Sequence, residues 1–219
     1  SLLNSIKLCQ KERNLVKTRL IHADVVKKRL LVKSKNICIA NALITTYAKC
    51  DALEDARAFF DELPIHNVVS WNALISGYAE QGQSREALDC FERMQSEGFP
   101  GDVVTFICIL KACGSIGAID KGKQIHNEIL SRKFLEKDIV LGTTLVDMYA
   151  KCGMLVKAEQ VIEQLPIRNV ISWSSLIAGY AQQGQGHQAV NCYEWMQSEG
   201  LCPNVVTFIC ILKACGSTG

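Results

Sequence analysis

The residues Val103-Val104-Thr105-Phe106-Ile107-Cys108-Ile109-Leu110-Lys111-Ala112-Cys113-Gly114-Ser115 return letter for letter as Val205 to Ser217, 102 positions later. The same offset carries Ser70-Trp71 onto Ser172-Trp173, and Tyr47-Ala48-Lys49-Cys50 onto Tyr149-Ala150-Lys151-Cys152. A chain that restates its own pattern cannot build one irregular core. It stacks similar units, each burying its apolar face against its neighbours. The repeat therefore sets the fold, and function has to be sought where the repeats differ.

The 102-residue period subdivides. Within 68–102, Trp71, Leu74, Ile75 and Tyr78 follow an i, i+3, i+4, i+7 spacing, which puts them on one face of a helix. Gly82 interrupts it. A second helix is predicted from about Ser84, carries Ala87, Leu88, Phe91 and Met94 on its stripe, and stops at Gly98 and Pro100. Residues 170–204 copy this helix–turn–helix. Between them lie 103–138 and 139–169, while 37–67 matches 139–169 and 1–36 matches 103–138, with Cys9 on Cys113 and Ile21-His22 on Ile125-His126. Residues 205–219 hold one further first helix. The reading is thirteen helices, six pairs and one orphan. Ala56, Ala87, Gly122, Ala158 and Ala189 each stand twentieth in their repeat, where a small residue lets paired helices approach.

At 48% hydrophobic residues over 219, the chain can bury a large core, and no apolar run approaches the ~18 residues of a membrane span. Net charge is +2, too balanced to argue alone for a polyanion. It is uneven: 1–36 hold ten Lys/Arg, Lys7 to Lys35, against Glu12 and Asp24, leaving the remainder net acidic. Such a segment is either a solvated face or a basic entrance. Eleven cysteines without any Cys-x-x-Cys pattern are expected to pack as small hydrophobes in a reducing compartment.

These residues resemble the pentatricopeptide repeat family over essentially the whole chain. The resemblance rests on starts such as Val68-Val69-Ser70-Trp71, on Pro203-Asn204 at a join, and on lengths cycling 31, 35 and 36. That cycle is similar to the plant subclass built from P, L and S units, in which Tyr-Ala-Lys-Cys, here 149–152, marks the S unit. The assignment is then L-like for 1–36 and 103–138, S-like for 37–67 and 139–169, P-like for 68–102 and 170–204, and a partial L-like unit for 205–219. The 68–102 repeat departs from the pattern by placing its proline one position early, at Pro100. The alternative, a tetratricopeptide-type protein-binding scaffold, shares the Trp-Leu-Tyr-Ala skeleton and a period near 34 residues.

The resemblance implies an all-α, right-handed α-solenoid superhelix of stacked helix–turn–helix repeats. It implies binding of single-stranded RNA, one base per repeat, within an organellar RNA-editing or RNA-processing factor of a mitochondrion or chloroplast, with editing-complex proteins as further partners. It also implies which positions read. The fifth and last residues of a repeat address the base edge, giving Asn41 with Asn67, Asn72 with Asp102, Thr143 with Asn169, and Ser174 with Asn204. The second residue packs on the base face, giving Val69, Val104, Val140 and Ile171, with Val206 and Cys38 in the equivalent places.

Side-chain chemistry makes those roles workable. Ionised Asp102 only accepts, so it favours a base with a ring N–H, whereas an Asn amide can donate to the bare ring nitrogen of adenine or cytosine. A short Ser or Thr at the fifth place leaves room for a purine. The expected readout is cytosine or uracil at 37–67, uracil at 68–102, adenine at 139–169 and 170–204. Leu3, Ile107 and Ile209 at the fifth place of the L-like repeats cannot hydrogen-bond, so those repeats should be silent. Equally, Asn67, Asp102, Asn169 and Asn204 each sit where a helix N-cap would. Trp71 and Trp173 belong to the helical stripe and are expected in the core, with Trp195 off it.

No phosphate-binding glycine loop occurs, and His22, His66, His126 and His187 are scattered. The zinc-deaminase pattern of His-x-Glu with Pro-Cys-x-x-Cys is missing. The expectation is a non-enzymatic module with no catalytic residue, metal or cofactor. Its last helix, 205–219, carries Val206, Phe208, Ile209, Ile211 and Leu212 with almost no polar face, which predicts self-association through an uncapped terminal helix.

Overall fold

In a computed structural model the chain is described over residues 2–30 and 36–217. Lys33 and Lys35 of the basic segment, and the chain after Ser217, lie outside the described residues. The described residues form thirteen α-helices: α1 Leu2–Glu12, α2 Leu15–Lys27, α3 Ile37–Lys49, α4 Leu53–Glu62, α5 Val68–Glu80, α6 Ser84–Ser96, α7 Val103–Ile116, α8 Ile119–Ser131, α9 Ile139–Lys151, α10 Leu155–Gln164, α11 Val170–Gln182, α12 Gly186–Ser198 and α13 Val205–Ser217. A short 3-10 turn, Phe134–Glu136, precedes α9. Periodicity gave no sign of it.

Contacts divide the chain into two compact parts, Ser1–Ile109 and Leu110–Gly219, with the boundary inside α7. In the first part α1, α3 and α5 pack in series, and α2, α4 and α6 back onto them. In the second part α9, α11 and α13 pack in series, backed by α8, α10 and α12. Each part is thus two layers of helices, a first-helix layer and a second-helix layer.

The stripes become the core between the layers. Trp71, Leu74, Ile75 and Tyr78 of α5 and Ala87, Phe91 and Met94 of α6 are all buried. Fully burying one such large apolar side chain is worth about 1.5–3 kcal/mol. Gly82 ends α5 in the left-handed region at φ +73°, a conformation glycine adopts without steric penalty. Gly122, the small twentieth residue of its repeat, lies against Met148, where an added Cβ would meet the thioether at 2.7 Å. Trp71 and Trp173 are in the core, and Trp195 is 52% exposed.

One expectation needs correction. All eleven cysteines are free thiols, but only Cys9, Cys90, Cys113 and Cys192 are buried; Cys38, Cys202 and Cys215 are exposed. Burial pushes the Cys113 thiol up to about 11 and Cys192 up to about 12, so these two stay protonated packing groups. The basic N-terminal segment is also partly neutralised. Arg13 pairs with Asp51, Lys17 with Glu12, Arg19 with Asp55 and Lys28 with Asp24, all at exposed or half-exposed positions where such pairs add little stability.

His22 and His126 occupy equivalent places. Each shares a hydrogen bond at 2.9 Å between its Nδ1 and a tyrosine hydroxyl, Tyr47 and Tyr149 respectively. Burial drops the His126 imidazole to about 4, with the Lys157 charge adding to the effect. Both histidines therefore tie a second helix to the next first helix as neutral rings.

Candidate nucleic-acid interface

The N-termini of the first helices carry the four polar pairs. Asn67 caps α5: its Oδ1 accepts from the Ser70 backbone N–H at 2.9 Å, and the Ser70 hydroxyl accepts from the Asn67 N–H at 2.8 Å. Asn169 caps α11 in the same reciprocal way through Ser172. Asp102 Oδ1 takes the Thr105 N–H at 3.0 Å at the start of α7, and Asn204 Oδ1 takes the Thr207 N–H at 2.9 Å at the start of α13. All four last residues are caps.

Capping, however, uses only one polar atom of each side chain. An N-cap needs one acceptor oxygen. In Asn67, Asn169 and Asn204 that oxygen is Oδ1, so the helix end fixes the amide orientation and leaves Nδ2 as the group facing away from the cap. The Asp102 carboxylate gives Oδ1 to the cap and retains Oδ2. Cap and base reader are therefore compatible, because they use different atoms.

Two fifth residues, Asn72 and Thr143, reach the atom that the cap leaves unused, whereas Asn41 meets the capping Oδ1 of Asn67 and Ser174 meets Thr207. Asn72 Nδ2 donates to both Asp102 oxygens, at 2.9 and 3.0 Å, and its Oδ1 accepts from the Thr105 hydroxyl at 2.6 Å. Asn169 Nδ2 donates to Thr143 Oγ1 at 3.0 Å, while the Thr143 hydroxyl donates to the Ile139 carbonyl at 2.9 Å. The Asn41 to Asn67 contact is longer, at 3.4 Å, and Asn41 Oδ1 is buried without a partner. Ser174 meets the Thr207 hydroxyl at 2.7 Å, and Thr207 meets Asn204, so this pair is bridged and not direct. Three of the four expected pairs thus touch.

The second-place residues form a separate series. Val69, Val104, Val140, Ile171 and Val206 are each between 51% and 59% exposed, although all are β-branched apolar side chains. Cys38 is exposed at the equivalent place. Two grooves join the two sets. In the first part a groove of about 320 Å³ is lined by Val69 and Val104 together with Asn72, Lys49 and Glu80. In the second part a groove of about 330 Å³ is lined by Val140 and Ile171 together with Thr143, Asn169 and Lys111. Each groove has two consecutive second-place side chains and a polar fifth residue, a geometry suited to a flat ring with hydrogen-bonding edges.

The fifth residues of the L-like repeats are not tightly packed. Ile107 and Leu3 are half-buried and Ile209 is 47% exposed. They still offer no hydrogen bond. The sequence reading missed Ser70, Thr105, Ser172 and Thr207, the third-place hydroxyls that hold the caps. Their signal was present as Asn/Asp-x-x-Ser/Thr across each join, a variant of the capping box.

Residues 66–115 and 168–217 match the family model described as PPR repeat family, and residues 38–68 and 143–170 match the one described as PPR repeat. Among curated proteins of Arabidopsis thaliana, the pentatricopeptide repeat-containing protein At4g30700 is 38% identical over 199 residues, 91% of this chain and 25% of that protein. The putative pentatricopeptide repeat-containing protein At3g13770, mitochondrial, is 40% identical over 95% of this chain and 33% of its own length. The chloroplastic protein At4g18520 is 35% identical over 97% of this chain and 34% of its own length. The chain therefore spans about a quarter to a third of these relatives. Among solved structures, the pentatricopeptide repeat protein PPR10 in complex with an 18-nt psaJ RNA element superposes with a TM-score of 0.73 at 19% identity, over 95% of this chain and 31% of that one. PPR10 from maize superposes with a TM-score of 0.69 at 15% identity, over 97% of this chain and 36% of that one.

Proposed function

The chain belongs to the pentatricopeptide repeat family, and from that premise we propose that it is a sequence-selective single-stranded RNA-binding module. The observation that carries the reading is that, in three repeats, a helix-capping last residue touches a polar fifth residue beside an exposed apolar ladder. Flat aromatic bases gain from apolar side chains on their faces and from donors and acceptors on their edges, and one base per helical repeat is an established mode of RNA recognition.

The pairs support a readout. At 68–102, Asp102 Oδ2 offers an acceptor to a ring N–H and the Asn72 amide is held beside it, which suits uracil. At 139–169 one Asn169 Nδ2 hydrogen goes to Thr143 Oγ1, which leaves the other for a bare ring nitrogen, and Thr143 Oγ1, its own proton committed to Ile139, keeps a lone pair for an exocyclic amine. That combination suits adenine. Ser174 with Asn204 suits adenine again through Thr207, and Asn41 with Asn67 suits cytosine or uracil. The division at 37, 68, 103, 139, 170 and 205, and the L, S and P classes that follow from it, belong to the same proposal. They are supported by first helices that begin at those residues. RNA then runs with its 5′ end toward the N-terminus.

The same reading makes the chain the non-catalytic specificity part of an organellar RNA-editing or RNA-processing factor. Relatives described as mitochondrial or chloroplastic support the compartment. Fluorescence anisotropy tests it: an RNA carrying pyrimidine-U-N-A-A should bind more tightly than one with purines and pyrimidines exchanged. Equal affinity for both would remove the claim of selectivity.

A further inference from the structure

Resting on the RNA-binding reading, we propose that Lys111 is a ligand for a backbone phosphodiester, supplied by a repeat that reads no base. The groove of the second part satisfies two of the three components of a nucleotide. Val140 and Ile171 cover ring faces, and Thr143 and Asn169 address the ring edge. The third component is an anion, and its counter-charge has to come from the residues lining that groove. Two charged side chains line it, Lys111 and Asp147. Asp147 is held by Lys151 at 2.7 Å, from one turn further along the same helix. Lys111 is exposed on α7, and among the described residues it makes no ion pair. Its three N–H donors are therefore available to a ligand, and an ammonium on a flexible stem suits a phosphate oxygen.

The repeat supports this division of labour. Lys213 is the same letter 102 positions on, and Lys7 is the equivalent residue when Cys9 is set on Cys113. Both are exposed on first helices, α1 and α13. The L-like repeats thus carry an isoleucine or leucine at the fifth place, where the others carry a polar reader, and a lysine two turns into the helix. They contribute charge and spacing where the other repeats contribute readout.

Counterion release gives the test. For single strands the slope of log affinity against log salt changes by about 0.7 for each phosphate contacted. We expect Lys111→Gln, in the full chain with the pyrimidine-U-N-A-A RNA, to flatten that slope by about 0.7 and to leave base preference unchanged. Lys111→Arg should restore the slope. Lys123→Gln, on α8 beside Asp120 and absent from the groove lining, should leave it as in the unaltered chain. An unchanged slope in Lys111→Gln, with RNA still bound, would overturn the phosphate assignment alone. A change of base preference in that variant would place Lys111 on a base edge and overturn it as well. An unaltered chain that binds no RNA at any salt concentration would overturn the RNA-binding reading together with this one.

Discussion

At the scale of single residues, Asn67, Asp102, Asn169 and Asn204 each cap a helix with one atom, and the proposed readout uses the other. Asp102 is the sharpest case because its carboxylate has no donor. Replacing it by Asn keeps an acceptor for the Thr105 N–H, so the cap survives, but it sets a donor where Oδ2 stood. Asp102→Asn should shift preference at that repeat from uracil toward cytosine, measured by binding RNAs that differ at this one base. Unchanged preference would make Asp102 a cap only. Asn169→Ala separates the jobs in the other direction. Losing the cap should cost about 1 kcal/mol of stability, and adenine preference should disappear with it; a melting shift with adenine preference intact would remove Asn169 from the readout. His126 gives a pH signature. Its folded value, about 4, lies below the ordinary 6.5, so the fold favours the neutral ring. Its contribution is fully present above pH 6.5 and is lost as pH falls toward 4. Melting temperature should drop over that window, and His126→Gln should flatten the drop; an equal acid slope in both proteins would contradict it.

At the scale of elements, the helices were legible because their causes are local. Trp71 to Tyr78 declare a 3.6-residue period, Gly82 a turn, and Ser84 the next start; the structure has α5 and α6 where these say. The polar pairs were legible only through a family resemblance, since nothing local says that Asn72 meets Asp102 thirty residues away. The third-place hydroxyls had a local signal three residues from each cap, whereas Lys111 and the polar pairs had none. Their roles depend on which helix ends face one groove, and that is set by packing between repeats. Ile107 shows that residue type alone does not set burial. It is an isoleucine on an apolar helix, yet it is half-buried. Ile107→Ala should therefore cost no more than the low end of the roughly 2–5 kcal/mol expected for a buried isoleucine, with base choice unchanged. A clear change of base preference with unaltered melting would contradict the silent role of that repeat.

At the scale of the whole molecule, identical letters meet different surroundings. Phe106 and Leu110 of α7 are fully buried, whereas their copies in α13, Phe208 and Leu212, are 50% and 72% exposed. An exposed apolar face of this kind seeks cover, so the chain should self-associate through α13 at high concentration. Light scattering should detect this, and Leu212→Lys should suppress it; a strict monomer at high concentration would count against it. Self-association is separate from the central claim, that consecutive repeats address consecutive bases through paired fifth and last residues. Selection of binders from a random RNA pool tests that claim most directly. The account predicts recovered sequences enriched, from 5′ to 3′, in a pyrimidine, uracil, any base, adenine and adenine, with the second position moving toward cytosine for Asp102→Asn. Recovery without positional enrichment, or with the same enrichment from both proteins, would contradict it.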